Sequence, residues 1–341
     1  MVGGKGGKPI PPTMDTDMVG GKGGKPISPT MDAVLGQDHI VGFLRSRIKD
    51  PPHILLWGPT GVGKTLMANA WMTEHLISQG VTTPAHQTAM ILRLSSADDR
   101  GIAAIRQRLT EFVRRVRPVP NTTAWVLLDD ADNLPVVTQQ ALRRILELHA
   151  HQTRFIFIAQ SPEHFIEPIQ SRCVMLQCHP VALTTHGPTI LTREAPGLTV
   201  TDDAVTLMAG LCLGNARQFA LICRALLSAT QGEPVRQETV QMLVNAPPVT
   251  LLLRLQTAII SRDLSTITEC VLALWSRGYS FEDCIAMLEM VVRVYNPSLT
   301  SELQYVLQCC AEGHVFQILN RMTTLDLIAV LSGLASSTAL A

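Results

Sequence analysis

Charged side chains are scarce in this chain, only 16% of 341 residues, and its 28 Lys and Arg are offset by 28 Asp and Glu. Zero net charge excludes a protein that coats nucleic acid by bulk charge, so any such contact needs a local basic stripe. One segment offers it, with Arg106, Arg108, Arg114, Arg115 and Arg117, although a solvated helix face explains such a run equally well. Long apolar runs are missing too. None approaches the ~20 residues that span a bilayer, and the N-terminus lacks the apolar core of a signal peptide. The expectation is a soluble intracellular protein with no membrane partner. C-x-x-C pairs are absent among the eight cysteines, which a reducing interior would keep as thiols. Cys173, Cys178 and His179 suggest a partial zinc site, but no fourth ligand lies at suitable spacing, and burial beside a strand is the expected role. Cys309-Cys310 sits in an apolar helical pattern and reads as core.

Apolar residues make up 46% of the chain, and its length allows two or three domains with proper cores. Residues 1–15 recur almost unchanged at 18–32, as MVGGKGGKPIPPTMD and MVGGKGGKPISPTMD. Gly, Lys and Pro dominate both copies and give no apolar face to bury, so residues 1–32 read as a disordered tail. Over residues 33–180, strand candidates alternate with helical patterns: Ile54–Trp57, Ile91–Leu94, Trp125–Leu128, Phe155–Ala159 and Cys173–Leu176. Such alternation predicts an α/β domain, a parallel sheet covered by helices on both faces. Residues 181–247 read as a small helical domain, with Thr201 placed to cap a helix and Ala246-Pro247-Pro248 as its end. Residues 248–341 predict four or five amphipathic helices, an assembly module or a partner-binding bundle.

The octet Gly58-Pro59-Thr60-Gly61-Val62-Gly63-Lys64-Thr65 fits the phosphate-loop pattern at every fixed position. It follows the strand candidate Ile54–Trp57 and opens a helical pattern at Leu66, the context such a loop requires. Glycines let successive backbone N–H groups and the helix N-terminus point at phosphates. Lys64 supplies positive charge to the β/γ-phosphates, and the Thr65 hydroxyl is placed for Mg²⁺. The reading is a nucleoside triphosphate site.

Trp125-Val126-Leu127-Leu128-Asp129-Asp130 is an apolar strand ending in two carboxylates. Asp129 would hold the Mg²⁺, and Asp130 would orient or activate the attacking water. Gln160, just after Phe155–Ala159, is placed to touch the γ-phosphate or its water. Arg172, just before a strand, is either a structural ion pair or a group projecting into a neighbouring subunit's nucleotide. Arg217, near the start of a helix, either reaches back to the phosphates or stays on the surface.

These residues together resemble the AAA+ clamp-loader family, specifically small subunits of eukaryotic replication factor C. The matching stretches are Ser95-Ser96-Ala97-Asp98-Asp99-Arg100-Gly101-Ile102, Gln140-Ala141-Leu142-Arg143-Arg144, Ile166-Glu167-Pro168-Ile169-Gln170-Ser171-Arg172-Cys173 and, in the tail, Leu274–Asp283. The resemblance spans residue 33 to the end. It implies an AAA+ ATPase domain, a helical lid and an all-helical collar that holds a hetero-pentameric ring together. It also implies ATP and Mg²⁺ as cofactors, with other loader subunits, a sliding clamp and primer–template DNA as partners, in the nucleus. Arg172 would be an arginine finger acting in trans, Arg217 the sensor-two arginine and Gln160 the sensor-one residue. Arg106 and Arg143 would meet DNA phosphates, and Val34-Leu35-Gly36-Gln37 would border the adenine. Three departures stand out: Asp130 replaces glutamate, Gln160 replaces asparagine, and the Glu-Lys-Tyr-Arg-Pro opening is missing.

Overall fold

Five short, almost uninterrupted apolar runs form the centre of the computed structural model: β1 (Ile54–Trp57), β2 (Ile91–Ser95), β3 (Ala124–Asp129), β4 (Thr153–Ala159) and β5 (Val174–Gln177). The structure describes residues 30–95, 102–115, 117, 119–120, 122–230, 234–295, 301–319 and 324–332. All pairings are parallel, in the order β2-β3-β4-β1-β5. A parallel strand needs a crossover, which explains the helices between them. These are α1 (Asp38–Ser46), before the sheet, then α2 (Lys64–Ser78), α3 (Pro84–Ala89), α4 (Ile102–Arg114), α5 (Val136–His149) and the single turn α6 (Glu167–Gln170). Residues 1–29 of the duplicated tail lie outside the described residues, as does most of the Ser95–Ile102 motif. The last residues of the repeat correct the expectation of a tail reaching residue 32: Met31 is buried in the core with its N–H donating to Glu74 at 3.0 Å, and Asp32 pairs with Arg45.

Side chains alternate across the strands, and each face of the sheet finds its own cover. Ile54, Leu56, Trp125, Leu127, Ile156 and Ile158 join Trp71 and Leu76 of α2 in one core. Leu55, Val126, Leu128, Phe155 and Phe157 join Leu109 of α4 with Leu142 and Leu146 of α5 in the other. The helical regions follow: α7 (Leu183–Glu194), α8 (Asp202–Cys212), α9 (Ala216–Ala229) and α10 (Gln237–Val244), then α11 (Val249–Ser261), α12 (Leu264–Ser276), α13 (Phe281–Tyr295), α14 (Ser301–Leu319) and α15 (Thr324–Leu331). No single helix among the described residues is long and apolar enough to cross a membrane.

Two expectations are corrected. Thr201 occupies the N-cap position of α8, but its side chain makes no capping bond. Its backbone N–H instead donates to the Val235 carbonyl at 3.1 Å, as part of the Val200–Val235 bridge. Arg117 does not belong to an outward basic stripe. Its guanidinium turns inward and donates to the Thr122 carbonyl and, at 3.5 Å, to the Thr153 hydroxyl, and burial lowers its pKa.

Beneath the sheet, the Trp71 and Trp125 rings meet edge to face at 4.9 Å. The Trp125 indole N–H donates to His75 Nδ1 at 3.1 Å, so the imidazole must stay neutral to accept. His75 is fully buried, and desolvation pushes its pKa from 6.5 to about 4. His53, which accepts from the Phe155 N–H at 3.1 Å, is lowered to about 4 for the same reason. Between pH 6.5 and 4 the unfolded chain therefore takes up protons that the fold refuses, and stability declines across that window while remaining complete above it. A shift of this size corresponds to about 3 kcal/mol for a buried group. His75→Gln should accordingly flatten the fall of urea-unfolding free energy with pH in that window. An unchanged slope would show that His75 does not resist protonation in the fold.

Candidate nucleotide site

The strand order places the carboxyl ends of β3, β4 and β1 side by side, and the loops after them converge there, as open parallel sheets do at their ligand crevice. After β1 comes the loop Gly58–Gly63. Gly61 has φ +72°, and a Cβ built on it would stand 1.8 Å from Asn215 Oδ1. At Gly58, φ is +142° and a Cβ would stand 2.3 Å from the Cys178 carbonyl oxygen. No L side chain fits either place without displacing its neighbour. Lys64 opens α2 with only 8% of its surface exposed. Its ammonium donates to the carbonyls of Gly58 at 2.6 Å and Pro59 at 2.7 Å. Burial lowers its pKa, and the nearby Cys178, Asp132, Asp129 and Asp130 act in the opposite direction.

Asp129, the last residue of β3, accepts from the Thr65 hydroxyl at 3.1 Å. Its other oxygen accepts from the Asp130 N–H at 3.1 Å. Asp130 itself has φ +48° and ψ +42°, a left-handed conformation that Asp adopts more readily than most residues. That local geometry suits an aspartate where the resembling family has glutamate. Thr65 and Asp129 together present the hard oxygen ligands that fit Mg²⁺, an ion that usually takes one or two carboxylates and leaves its other positions to phosphates and water. Among the described residues no cluster of three or more His, Cys, Asp or Glu could make an all-protein metal cage, so the zinc idea at Cys173, Cys178 and His179 has no support.

The loop, Asp129, Asp130, Gln160 and Arg217 line one cavity of about 350 Å³. Apolar Val34, Leu35, Val181, Ile190, Ala216 and Ala220 also line it, together with the charged Arg193 and Glu194. The segment between Val34 and α1 is anchored by Gln37, whose fully buried amide donates to the His179 carbonyl at 2.6 Å and accepts from the His179 N–H at 3.2 Å. From the start of α9, the Arg217 N–H donates to the Gly61 carbonyl at 3.2 Å. Asn215 caps α9 by accepting from the Gln218 N–H at 3.0 Å. The helix N-terminus thus docks directly on the phosphate loop.

Arg172 lies outside this cavity. One guanidinium nitrogen pairs with Glu147 at 2.6 Å, and the other donates to the Pro168 carbonyl at 2.7 Å. The same Glu147 oxygen accepts from Arg143 at 3.2 Å. Arg143 and then Arg172 hold the Glu147 carboxyl below the usual range. Arg106 belongs to α4, and its side chain lies outside the described residues.

Sequence reasoning placed Gln37 only at the border of the adenine and missed its clamp on His179, and it missed the roles of Asp132 and Asn215. Asp132 accepts from the backbone N–H of Gln160 with both carboxylate oxygens, each at 2.9 Å, and from Ser161 at 3.2 Å. The only signal was a third carboxylate two residues beyond the pair.

The model of the ATPase family associated with various cellular activities (AAA) matches residues 54–180. This region is an AAA ATPase domain. Among curated relatives, the replication factor C small subunit of Aeropyrum pernix is 39% identical over 151 residues, 44% of each chain. Small subunit 2 of Pyrobaculum islandicum is 29% identical over 296 residues, 82% of this chain and 86% of that one. The match therefore spans less than half the length of the first relative and most of the second. These relatives agree with the resemblance read from the motifs at the level of replication factor C small subunits, and both are archaeal. Two variants of RuvB from Thermotoga maritima share the fold, with TM-scores of 0.52 and 0.51 at 14% and 16% identity. They cover 67% and 80% of this chain and 79% and 93% of theirs. The parallel sheet covered by helices, expected from the strand–helix alternation, is the architecture found, and the AAA+ fold that the resemblance implied agrees with it.

Proposed function

We propose that this chain is an ATP-binding subunit of a hetero-pentameric clamp loader, one that helps open a sliding clamp and place it on primer–template DNA in the nucleus. The observation that carries the reading is the meeting of Lys64, Thr65, Asp129, Asp130, Gln160 and Arg217 around one cavity, in a chain whose relatives are replication factor C small subunits. Backbone N–H groups of Gly61–Thr65 and the Lys64 ammonium bind the phosphates. Thr65 and Asp129 hold Mg²⁺, which when bound neutralises phosphate charge. Asp130 orients the attacking water, Gln160 holds the γ-phosphate end, and Arg217 senses it from the lid. Arg172 serves the adjacent subunit, and Arg106 and Arg143 face DNA phosphates. Reconstitution with partner subunits tests the role: ATP-dependent retention of a clamp on primed DNA supports it, and a chain that enters no such ring overturns it.

A second reading, a subunit that binds ATP but turns it over slowly, is favoured by Asp130. Its side chain is one methylene shorter than glutamate, which withdraws the oxygen by about 1 Å, and a displacement of that size can lower a rate by about a hundredfold. Asp130→Glu should therefore raise single-site turnover in the assembled ring, at a folding cost of about 1 kcal/mol because glutamate suits the left-handed backbone less well. Asp130→Asn should keep ATP affinity and remove hydrolysis. Wild-type turnover equal to that of the neighbouring sites, unchanged in Asp130→Glu, would end the slow-subunit reading.

A further inference from the structure

Strands β3 and β4 run in register as far as the pair Leu128–Phe157 and then separate. The backbone N–H groups of Gln160 and Ser161 lie beyond the last of these pairs. Asp132 takes both from 28 and 29 residues away, through three contacts of 2.9, 2.9 and 3.2 Å. A carboxylate that accepts backbone N–H groups makes charge-assisted bonds, about twice as strong as neutral ones. Ser161 in turn accepts from the Glu163 N–H at 3.4 Å, starting the turn Pro162–His164. Asp132 is not among the residues lining the cavity, whereas Asp130 and Gln160 are. Asp130 leads into the same short turn, Ala131–Asn133, that carries Asp132.

We infer that Asp132 is a positioning residue: by clamping the Gln160 backbone to the turn that carries Asp130, it sets the spacing between the two side chains that address the γ-phosphate and its water. This deepens the proposed function, because it rests on Gln160 meeting the γ-phosphate. Gln160 needs such an anchor more than an asparagine would, since its side chain has one more rotatable bond and its polar tip is placed only as well as its backbone is held. The clamp acts on the triphosphate and not on the diphosphate, because Gln160 has nothing to touch when the γ-phosphate is gone.

The test measures dissociation constants of the full chain for ADP and for a non-hydrolysable ATP analogue, both with Mg²⁺, in wild type, Asp132→Ala, Gln160→Ala and the double variant. Loss of one well-placed hydrogen bond corresponds to about tenfold in affinity. Asp132→Ala should lower the preference for the triphosphate analogue about tenfold and leave ADP unchanged. Gln160→Ala should do the same, and the double variant should lose no more than either single one, since both act through one contact. Asp132→Asn keeps one acceptor oxygen and should lose part of the preference, which preserves the test if the alanine variant folds poorly. Equal weakening of ADP and the analogue would mean that Asp132 acts on Lys64 by charge or merely supports the fold. Additive losses, or an unchanged preference in Asp132→Ala, would overturn the inference. A wild-type chain that bound neither nucleotide would instead overturn the nucleotide reading of the cavity.

Discussion

Replacement of Arg172 by alanine is expected to slow ATP hydrolysis at the adjacent subunit of an assembled ring by about a thousandfold or more. This chain's own ATP affinity should stay within about twofold, because Arg172 lies outside the cavity that holds Lys64 and Asp129. Its pairing with Glu147 leaves the side chain one-third exposed, and an exposed ion pair contributes at most about 1 kcal/mol to folding. The variant should therefore fold and assemble, and a slow neighbour would report lost chemistry. Arg172→Lys should rescue little, because an ammonium does not reproduce the planar fork of a guanidinium. The decisive measurement is turnover in a ring where only the neighbouring site is competent. A rate changed less than about threefold there, or loss of hydrolysis in the isolated chain, would exclude action in trans.

Lys64→Ala is expected to weaken ATP binding by at least about a hundredfold, as two charge-assisted hydrogen bonds disappear from the phosphates. Among the described residues Lys64 is the only lysine lining the cavity, and its ammonium is held by the Gly58 and Pro59 carbonyls. Phosphate must draw the ammonium away from those carbonyls, and their exchange for anionic oxygens raises the lysine's lowered pKa. Titration calorimetry should then show proton uptake on ATP binding at alkaline pH in wild type and less of it in Lys64→Ala. An ATP dissociation constant unchanged by the substitution would mean that the loop does not hold phosphate.

Much of the sheet was legible because buried parallel strands are continuous apolar runs. Ile54–Trp57 was read without error, whereas β4 starts two residues early, at Thr153. Thr153 and Arg154 are polar, and Arg154 serves the ladder while its guanidinium bonds the Pro51 carbonyl. The phosphate loop was legible because its chemistry is local. The contacts of Asp132, Asn215 and Gln37 were not, since each bonds or abuts backbone that the topology brings from a distant part of the chain. Thr201 and Arg117 misled for the opposite reason. Their spacing fitted a cap and a stripe, but a backbone bridge and two inward acceptors claimed them.

The crowding around Gly58 and Gly61 bears on how substitutions in the loop should be interpreted. Both positions are forbidden to side chains by the protein's own atoms, the Cys178 carbonyl and the Asn215 amide, before any ligand is considered. An inactive Gly61→Ala variant would therefore report a displaced Asn215 side chain, and with it the cap of α9, before any failure to recognise phosphate. The collision has a specific remedy: Asn215→Gly removes the obstructing amide and, as a second-site change, should restore part of what Gly61→Ala loses. The cost of a left-handed backbone, about 1 kcal/mol, would remain, together with a few tenths of a kcal/mol for the cap that Asn215 gives α9. Tolerance at this glycine is thus set jointly by two segments more than 150 residues apart, and a scan of the loop alone would mistake a docking surface for a binding one.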